Sequence, residues 1–354
     1  MSFQRINDTF PILKMLGERM SRCSQKKMLK MPYTWEIHLK MKRFRDALRE
    51  VRDVSWAHQG KQITFYLPGM FSYNGLRGAY PGISITGSHC ALMCDHCKAS
   101  TLKPMPAAGS ADALVAMCKR FATKGGLGVL ISGGSDQAGR LPWRTFVPAI
   151  EKIKETTDLY VSIHCGLLDL DTARSLKEAG VDQALLDVVG DDETYQSVCH
   201  VDFGISRIIS TLDVLNQVEL PVIPHVICGL KRGQMGSETE ALDIISRFRI
   251  EQLVVVSLMA IKETPFEGVI TPSAREVAGI IVEARRRMPE VRMSLGCART
   301  RGDEEVELLA LEAGVNRMAL PSDTVIERAR KFGLEIRYQR TCCSVGADFS
   351  TPCW

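Results

Sequence analysis

From Pro81 onward, short apolar segments alternate along the chain with longer segments whose apolar residues recur at helical spacing. A short apolar run that leads into an amphipathic helix is typical of a buried strand in a parallel sheet. Eight such segments occur: Ile83–Thr86, Gly128–Ser132, Leu159–His164, Gln183–Val188, Val222–Ile227, Leu253–Leu258, Arg292–Leu295 and Arg317–Leu320. Eight strand–helix units over about 250 residues predict an α/β fold of the (β/α)8 TIM-barrel type, closed by its last two units.

Helix start signals support this alternation. Ser110, Asp303 and Ser322 each precede an amphipathic segment and predict N-cap residues. Ser237, with Glu240 three residues later, predicts a capping box at the start of another helix. These signals separate the predicted helices from the loops at the ends of the strands.

The segments on either side of the barrel differ from it in pattern. Residues 1–80 predict an N-terminal extension, which is helical from Ile12 to Arg52 and contains a strand at Gln62–Leu67. Residues 81–335 are expected to form the barrel. Residues 336–354 form no further strand–helix unit and predict a cysteine-bearing C-terminal tail in loop conformation.

The composition, with 45% hydrophobic and 24% charged residues, is that of an ordinary globular protein. A formal net charge of +4 is too small to indicate nucleic-acid binding. We expect no secretory signal and no membrane span, because the chain has neither an apolar run near its start nor a stretch of about 18 apolar residues. Without an export signal, twelve cysteines favour metal or cluster ligation in the reducing cytoplasm over disulfides.

Three of these cysteines lie close together in the loop after the first predicted barrel strand. Cys90, Cys94 and Cys97 have the spacing Cys-x3-Cys-x2-Cys. Three thiolates can hold three irons of a four-iron cluster, whereas clusters that only carry electrons usually have four Cys ligands. The fourth iron is then open to a small molecule. The alternative is a zinc site completed by His89 or His96, although zinc sites more often combine Cys-x2-Cys with a second, distant pair.

This spacing resembles that of the radical S-adenosylmethionine (SAM) enzymes, in which the amino and carboxylate groups of SAM chelate the open iron. The resemblance implies that Ser132, Gly133 and Gly134 bind the SAM amino group through their backbone, which glycine lets approach closely. It also implies that Asp187 binds the ribose hydroxyls and that His96 lies near the adenine. In the family the glycine pair is often followed by an acidic residue, whereas here Ser follows.

Within the family, the biotin synthase-like branch offers the best match. Gly229-Leu230 followed by Glu238 resembles the Gly-Leu-Gly-Glu stretch after their fifth strand, with an insertion. Biotin synthases also hold a second cluster inside the barrel, with an Arg after a Ser-x-Gly pattern on the seventh strand. Here Ser294-Leu295-Gly296 is followed by Cys297.

The tail supplies further thiols for such a second cluster. Cys342 and Cys343 are adjacent, which disfavours a disulfide between them because the ring is strained. We expect them to fold over the barrel mouth beside Cys297, so that the three thiols hold a second four-iron cluster. The fourth ligand is open among Cys353, Cys228, Cys165 and none. The remaining Cys23, Cys118 and Cys199 are expected to be plain buried thiols.

With these features the chain resembles one subunit of the two-protein lipoyl synthase system, the one expected to add the second sulfur. The resemblance implies a sulfurtransferase that inserts sulfur into an unactivated C–H bond of an octanoyl or mercapto-octanoyl chain. The implied partners are a lipoyl-carrier protein or octanoylated lysine peptide, a second radical SAM subunit, and a reductant such as ferredoxin or flavodoxin. Two alternatives stay open. One is a radical SAM enzyme that rearranges or methylates a small molecule, with the second cluster as a redox relay, and the other is an iron–sulfur carrier or scaffold.

Replacing Cys90, Cys94 or Cys97 singly by Ala is expected to abolish SAM cleavage, because each thiolate holds one iron of the first cluster. The measurement is 5′-deoxyadenosine formed from SAM by the reduced protein. Cys118→Ala is the control, since that residue is expected to be a buried thiol without a ligand role. A full yield of 5′-deoxyadenosine from any of the three variants contradicts the radical SAM interpretation.

Overall fold

The computed structural model of the protein describes residues 31–73 and 75–353. By its internal contacts the chain divides into residues 1–47 and residues 48–354. Within the described residues, no helix is both long enough and apolar enough to cross a bilayer. The helical prediction for the N-terminal extension is confirmed where the structure describes it, from residue 31 onward. The earlier part of that prediction, and Cys23, lie outside the described residues.

The described part of the chain contains twelve strands, ten of them in one sheet. In chain order they are β1 Gln62–Tyr66, β2 Ser72–Tyr73, β3 Leu76–Arg77, β4 Gly82–Ser84, β5 Gly128–Ser132, β6 Tyr160–His164, β7 Gln183–Asp187, β8 Val222–Cys228, β9 Gln252–Ser257, β10 Arg292–Leu295, β11 Arg317–Ala319 and β12 Glu335–Gln339. The sheet order is β12-β1-β11-β10-β9-β8-β7-β6-β5-β4, and its neighbours pair in parallel. The small pair β2 and β3 forms an antiparallel hairpin after β1.

Helices connect the successive strands. They are α1 Met31–Gln59, α2 Ala111–Ala122, α3 Trp143–Thr156, α4 Leu170–Glu178, α5 Asp192–Cys199, α6 Ser206–Gln217, α7 Glu238–Ile245, α8 Ala274–Arg287, α9 Glu304–Glu312 and α10 Asp323–Lys331. The parallel strands therefore place their carboxyl ends, and the loops that follow them, on one face of the barrel, which is where sites form in folds of this kind.

The predicted α/β class is confirmed, and the eight predicted segments coincide with β4 to β11 within two residues. Two details were wrong. The strand predicted in the N-terminal extension, β1, joins the barrel sheet between β11 and β12, and β12 lies where the tail was predicted to be loop, so the sheet has ten strands instead of eight. No strand ladder joins β4 to β12 in the described residues, and the barrel is open at this seam. The Ala79 N–H spans the seam by donating to the Arg340 carbonyl at 2.7 Å.

The helix starts follow the sequence at most positions. The side chains of Ser110, Asp303 and Ser322 accept hydrogen bonds from the first turns of their helices, as predicted. The predicted capping box of Ser237 and Glu240 was wrong, because the Ser237 side chain makes no capping hydrogen bond. A capping box does form at α8, between Ser273 and Glu276.

We expected the C-terminal tail to form a loop over the barrel mouth. In the structure it enters the barrel interior instead. It begins with β12, and residues 342–346, called the tail plug below, then lie among inward-facing side chains of the sheet. Buried side chains from four strands donate hydrogen bonds to its carbonyl groups: Gln183 of β7, Gln252 of β9, Ser294 of β10 and Arg317 of β11. The Gln183 side chain also accepts from the Gly346 N–H at 2.8 Å. Each carbonyl group of the plug therefore has a donor within the protein.

Arg285 of α8 connects α1 with the segments that precede β10 and β11. It is 1% exposed and donates to the carbonyl groups of Pro289 and Val291 at 2.9 and 2.6 Å. It also donates to Ser55 Oγ at 3.2 Å and to Asn316 Oδ1 at 2.9 Å. Burial lowers the pKa of this guanidinium to about 10. Neutral acceptors therefore hold the charge in a buried position.

Arg285→Met is expected to lower the free energy of unfolding by about 3 kcal/mol, because it leaves several buried acceptors unpaired. The midpoint of urea unfolding measures the effect. Arg286→Met is the matched control, since the neighbouring Arg286 makes only partly exposed ion pairs, and it should cost about 0.5 kcal/mol. Equal losses in the two variants contradict a structural role for the Arg285 network.

Candidate iron–sulfur sites

The loop after β4 brings Cys94 and Cys97 into one tight turn. The N–H groups of Cys97 and Lys98 donate to the Cys94 carbonyl at 3.1 and 2.8 Å. Met93, Lys98 and Ala99 adopt positive φ angles, which non-glycine residues do rarely and which cluster at functional sites. The turn therefore holds these thiols close to each other by backbone hydrogen bonds and by a backbone conformation of limited freedom.

The surroundings of Cys94 and Cys97 favour the protonated thiol. A hydrogen bond with Cys199, followed by burial, raises the pKa of Cys94. Burial raises the pKa of Cys97 to about 12. Iron must displace these protons on binding, as it does from any thiol ligand.

The glycine pair after β5 lies directly against the cysteine loop. A Cβ at Gly134 would overlap the His89 carbonyl oxygen and lie 2.5 Å from Cys90 Cα. The Gly134 N–H donates to Thr86 Oγ1 at 2.7 Å, and Thr86 Oγ1 donates to the same His89 carbonyl at 3.0 Å. The predicted neighbours Gly133-Gly134 and Cys90 are thus brought together, and Gly134 has a steric reason to lack a side chain.

Asp187 at the end of β7 lies near both the cysteine loop and two histidines. Its Oδ2 is 3.7 Å from His164 Nε2, and the His164 and His225 rings are 6.0 Å apart between centroids. Burial lowers the pKa of His96, while the Asp187 carboxylate opposes that shift. The predicted Asp187 and His96 therefore lie within electrostatic range of each other.

The ring nitrogens of His225 and His96 differ in their hydrogen bonding. Burial lowers the pKa of His225 to about 4, so its ring is neutral at pH 7. The His225 Nδ1 atom lies 3.1 Å from the Ile223 carbonyl. The buried Nδ1 atom of His96 has no hydrogen-bond partner among the described residues. A polar ligand at this place would satisfy it, which fits a nucleoside cofactor between the cysteine loop and β7.

Cys297, Cys342 and Cys343 meet inside the barrel. Cys297 and Cys342 pack against the buried cluster that contains Cys343, and Ser344 Oγ donates to Cys342 Sγ at 3.1 Å. The hydrogen bond from Cys343 lowers the pKa of Cys342 to about 6. The predicted proximity of these three residues is present in the structure, although in the interior and not over the mouth. Three thiols in mutual contact suit the ligand set of an iron–sulfur cluster.

Two arginines lie beside Cys297. Arg301 donates to the Cys297 carbonyl at 2.6 Å. Arg299 is 2% exposed and donates to Glu307 Oε1 and to the Gly296 carbonyl, both at 2.6 Å. After the hydrogen bond from Cys343, these two positive charges lower the pKa of Cys297. They would likewise offset the negative charge of thiolates bound to iron.

The candidate fourth ligands are not part of this cluster. Cys165 and Cys228 alternate with His164 and Ile227, which face the barrel interior, so their side chains lie between the sheet and the helices. The Cys165 thiol donates to the Gly166 carbonyl at 3.2 Å. Cys353 is exposed on the tail after the plug. The structure therefore groups three of the candidate thiols and leaves these three apart.

Glu238, at the start of α7, orders the loop after β8. Its carboxylate accepts from the N–H groups of Gly229 and Gly236 at 2.7 and 2.6 Å. The backbone next to Ser237 is thus held by the buried Glu238 carboxylate, and the Ser237 side chain does not cap the helix. The sequence resemblance identified Gly229 and Glu238 as related residues, and the structure joins them directly.

The sequence analysis did not recognise the role of two groups of residues at the sites. His164 and His225 were seen only as polar residues at strand ends, and the side chains that hold the tail plug were not recognised. A signal for the latter was present, because strands β7, β9, β10 and β11 begin with Gln183, Gln252, Arg292 and Arg317. Long polar side chains at inward positions of a barrel need buried partners.

Among the described residues, no three His, Cys, Asp or Glu side chains surround a point at which one metal ion could bind. A four-iron cluster makes no such demand, because each thiolate binds its own iron.

Gly134→Ala is expected to displace the cysteine loop and to remove most of the iron bound by Cys90, Cys94 and Cys97. The added methyl group overlaps backbone atoms, which cannot yield as a flexible side chain can. Iron content after anaerobic reconstitution is the measurement. Gly109→Ala is the matched control, since a Cβ there has no neighbour within 4 Å. Iron loss in the control equal to that in Gly134→Ala would contradict this explanation.

The sequence and the fold were compared with known proteins. The sequence model of the radical SAM superfamily matches residues 84–242. The chain is 28% identical to the biotin synthase of Burkholderia cenocepacia over 189 residues, 51% of this chain and 54% of that protein. It is 27% identical to the biotin synthase of Rhodopseudomonas palustris over 195 residues, 52% of this chain and 54% of that protein. The chain thus spans about half the length of these curated relatives.

Solved structures agree in fold. Methylornithine synthase superposes with a TM-score of 0.59 at 18% identity, over 82% of this chain and 88% of that one. An FeFe-hydrogenase maturase from Carboxydothermus hydrogenoformans gives a TM-score of 0.56 at 14% identity, over 82% of this chain and 71% of that one. At these identities the likeness concerns the fold alone. Over residues 84–242, which include the cysteine loop and Gly134, the chain is therefore similar to the radical SAM superfamily.

Proposed function

We propose that this protein inserts sulfur into an unactivated C–H bond of a protein-bound octanoyl or mercapto-octanoyl chain, as in lipoyl cofactor formation. The observation that carries the proposal is the packing of Cys297, Cys342 and Cys343 together inside the barrel. The similarity to biotin synthases supports it, because biotin synthases insert sulfur into their substrate.

The chain offers ligands for two clusters. Cys90, Cys94 and Cys97 would hold the first, and Cys297, Cys342 and Cys343 would hold the second. When bound, the first cluster and SAM supply a radical able to attack an unactivated carbon, and the second cluster supplies sulfide. The cofactors carry this chemistry because such C–H bonds have no acidic proton for a side chain to remove.

The residues between the two thiol groups would position SAM. Asp187 offers a carboxylate for ribose hydroxyls, and the unpaired Nδ1 atom of His96 offers a hydrogen-bond acceptor or donor for the nucleoside. Gly133 and Gly134 present backbone close to Cys90. His164 and His225 lie beside Asp187 and extend the polar surface toward Cys342, whose pKa His164 helps to lower.

The surroundings of Cys343 suit an alkyl substrate. Tyr66, Leu185, Ile223, Val254 and Val256 pack around it as a buried cluster, with Leu130 and Ile227 at its edge. Apolar walls of this kind bind a hydrocarbon chain and exclude water from a reactive radical. They disfavour a small polar substrate.

An acyl chain on a lysine of a carrier protein would reach this interior through the mouth of the barrel. The proposed partners are that carrier protein, a second radical SAM subunit and a ferredoxin or flavodoxin as reductant.

The triple change of Cys297, Cys342 and Cys343 to Ala is expected to halve the iron content from about eight atoms per chain while retaining SAM cleavage. The matched control is the triple change of Cys118, Cys165 and Cys228 to Ala, which removes buried thiols outside the barrel interior. Iron and sulfide analysis after anaerobic reconstitution is the measurement. Unchanged iron in the first triple variant would leave the tail thiols without a cluster.

If the second cluster donates sulfur, it is consumed, and each polypeptide should give about one product before it stalls. The experiment combines protein that carries isotopically labelled sulfide with octanoyl-lysine or mercapto-octanoyl-lysine peptide in a single turnover. Label in the thiol-bearing product is expected. Many turnovers without transfer of label would contradict sulfur donation and favour a relay role in small-molecule chemistry.

A further inference from the structure

The C-terminal tail enters the barrel as a loop that is fastened at both of its ends. β12 is an edge strand of the sheet, and the chain leaves it after Gln339 and returns to its free edge at Thr351. The Tyr338 N–H donates to the Thr351 carbonyl at 2.9 Å, and the Thr351 N–H donates to the Tyr338 carbonyl at 2.7 Å. Residues 338–351, called the inserted loop below, are therefore joined by backbone hydrogen bonds where they leave and rejoin β12.

The buried Gln339 side chain connects the two arms of the inserted loop at its base. Its amide nitrogen donates to Thr341 Oγ1 at 2.8 Å and to the Ala347 carbonyl at 3.1 Å. Its amide oxygen accepts from the Phe349 N–H at 3.1 Å. Gln339 is 1% exposed. One side chain thus joins the arm that enters the barrel to the arm that leaves it.

The tip of the inserted loop lies at the end of the barrel that is opposite the mouth. Gln183 is the first residue of β7. Its side chain donates to the Ser344 carbonyl at 2.9 Å and accepts from the Gly346 N–H at 2.8 Å. Arg317, the first residue of β11, donates to the Val345 carbonyl. Because parallel strands begin at the same end of a barrel, the tip occupies the end that faces away from the mouth.

The hydrogen bonds that hold the inserted loop do not use its thiols. The donors and acceptors named above are backbone groups and buried amide, hydroxyl and guanidinium side chains. Binding of iron to Cys342 and Cys343 would therefore neither form nor break these bonds. Withdrawal of the loop would leave Gln183 and Arg317 unpaired inside the barrel, which costs free energy.

We propose that the inserted loop is a permanent part of the barrel interior, which stays in place with and without iron. Iron, sulfide and substrate then reach the interior thiols from the mouth, and the loop does not open to admit them. The use of these thiols as cluster ligands rests on the proposed function. The position of the loop does not, because its contacts are made by the chain alone.

Hydrogen–deuterium exchange of the full-length protein, before and after anaerobic reconstitution with iron and sulfide, tests this proposal. The amides of Tyr338, Gly346, Phe349 and Thr351 should exchange at least about a hundredfold more slowly than unprotected amides, because each donates to a partner named above. The protection should be the same in both states. Protection that appears only after iron has bound overturns the proposal, as does a lack of protection in both states.

Gln339→Leu is the variant to compare, since it removes the three side-chain hydrogen bonds at the base of the loop and leaves every cysteine in place. Exchange of residues 342–349 should become about tenfold faster, while exchange of β4 to β9 stays unchanged and shows that the barrel is folded. The control is Gln196→Leu, at an exposed position of α5, which should match the wild type. Unchanged exchange of the loop in folded Gln339→Leu contradicts the role given to its base.

Alkylation of the iron-free wild-type protein gives a second measurement that needs no variant. Cys353 is exposed and Cys343 is 2% exposed. Cys353 should therefore react at least about tenfold faster, each rate being taken relative to unfolded protein. Equal rates would mean that the loop leaves the barrel and would overturn the proposal. A protected loop whose thiols never bind iron refutes only the proposed function, whereas a loop that withdraws but binds iron refutes only this inference.

Discussion

The hydrogen bonds between the tail plug and the starts of the strands are the contact on which the second thiol group depends. A chain segment inside a barrel loses water from its carbonyl groups, and each unpaired group would cost free energy. Gln183, Gln252 and Arg317 replace that water. They hold residues 342–346 in one register. Cys342 and Cys343 then lie beside Cys297, whose own position is set by β10.

The open seam and the extra strand β12 are linked in sequence to the plug. β12 is the edge strand at the seam, and the chain continues from it into the plug. β1 fills the sheet between β11 and β12. The segments that flank the eight predicted units in sequence therefore extend the same sheet, and the tail passes from that sheet into the barrel interior.

Much of the fold could be predicted because buried parallel strands give short apolar runs. The segments at Gly128–Ser132 and Arg292–Leu295 coincide with strands residue for residue. Local spacing also indicated the cysteine loop, since its three thiols lie within eight residues. The tail was harder, because its structure comes from contacts with residues more than 160 positions away, and no local pattern records such a partner. Buried Gln and Arg at strand starts were the available signal, and their need for partners went unused.

The two thiol groups differ in how the chain prepares them for iron. Burial keeps Cys97 protonated, whereas hydrogen bonds favour the thiolate of Cys342. Arg299 and Arg301 add positive charge beside the interior group. Between the groups, neutral His225 and the carboxylate of Asp187 form a polar surface next to an apolar interior. This order, from cysteine loop through polar surface to interior thiols, is the one that the proposed function requires.

Anomalous diffraction at the iron edge, from crystals of anaerobically reconstituted protein, tests the central claim most directly. The account predicts two separate iron peaks of equal size. One should be surrounded by Cys90, Cys94 and Cys97, and the other by Cys297, Cys342 and Cys343 with residues 342–346 still inside the barrel. A single iron peak at the cysteine loop, with the interior thiols free of metal, would contradict it.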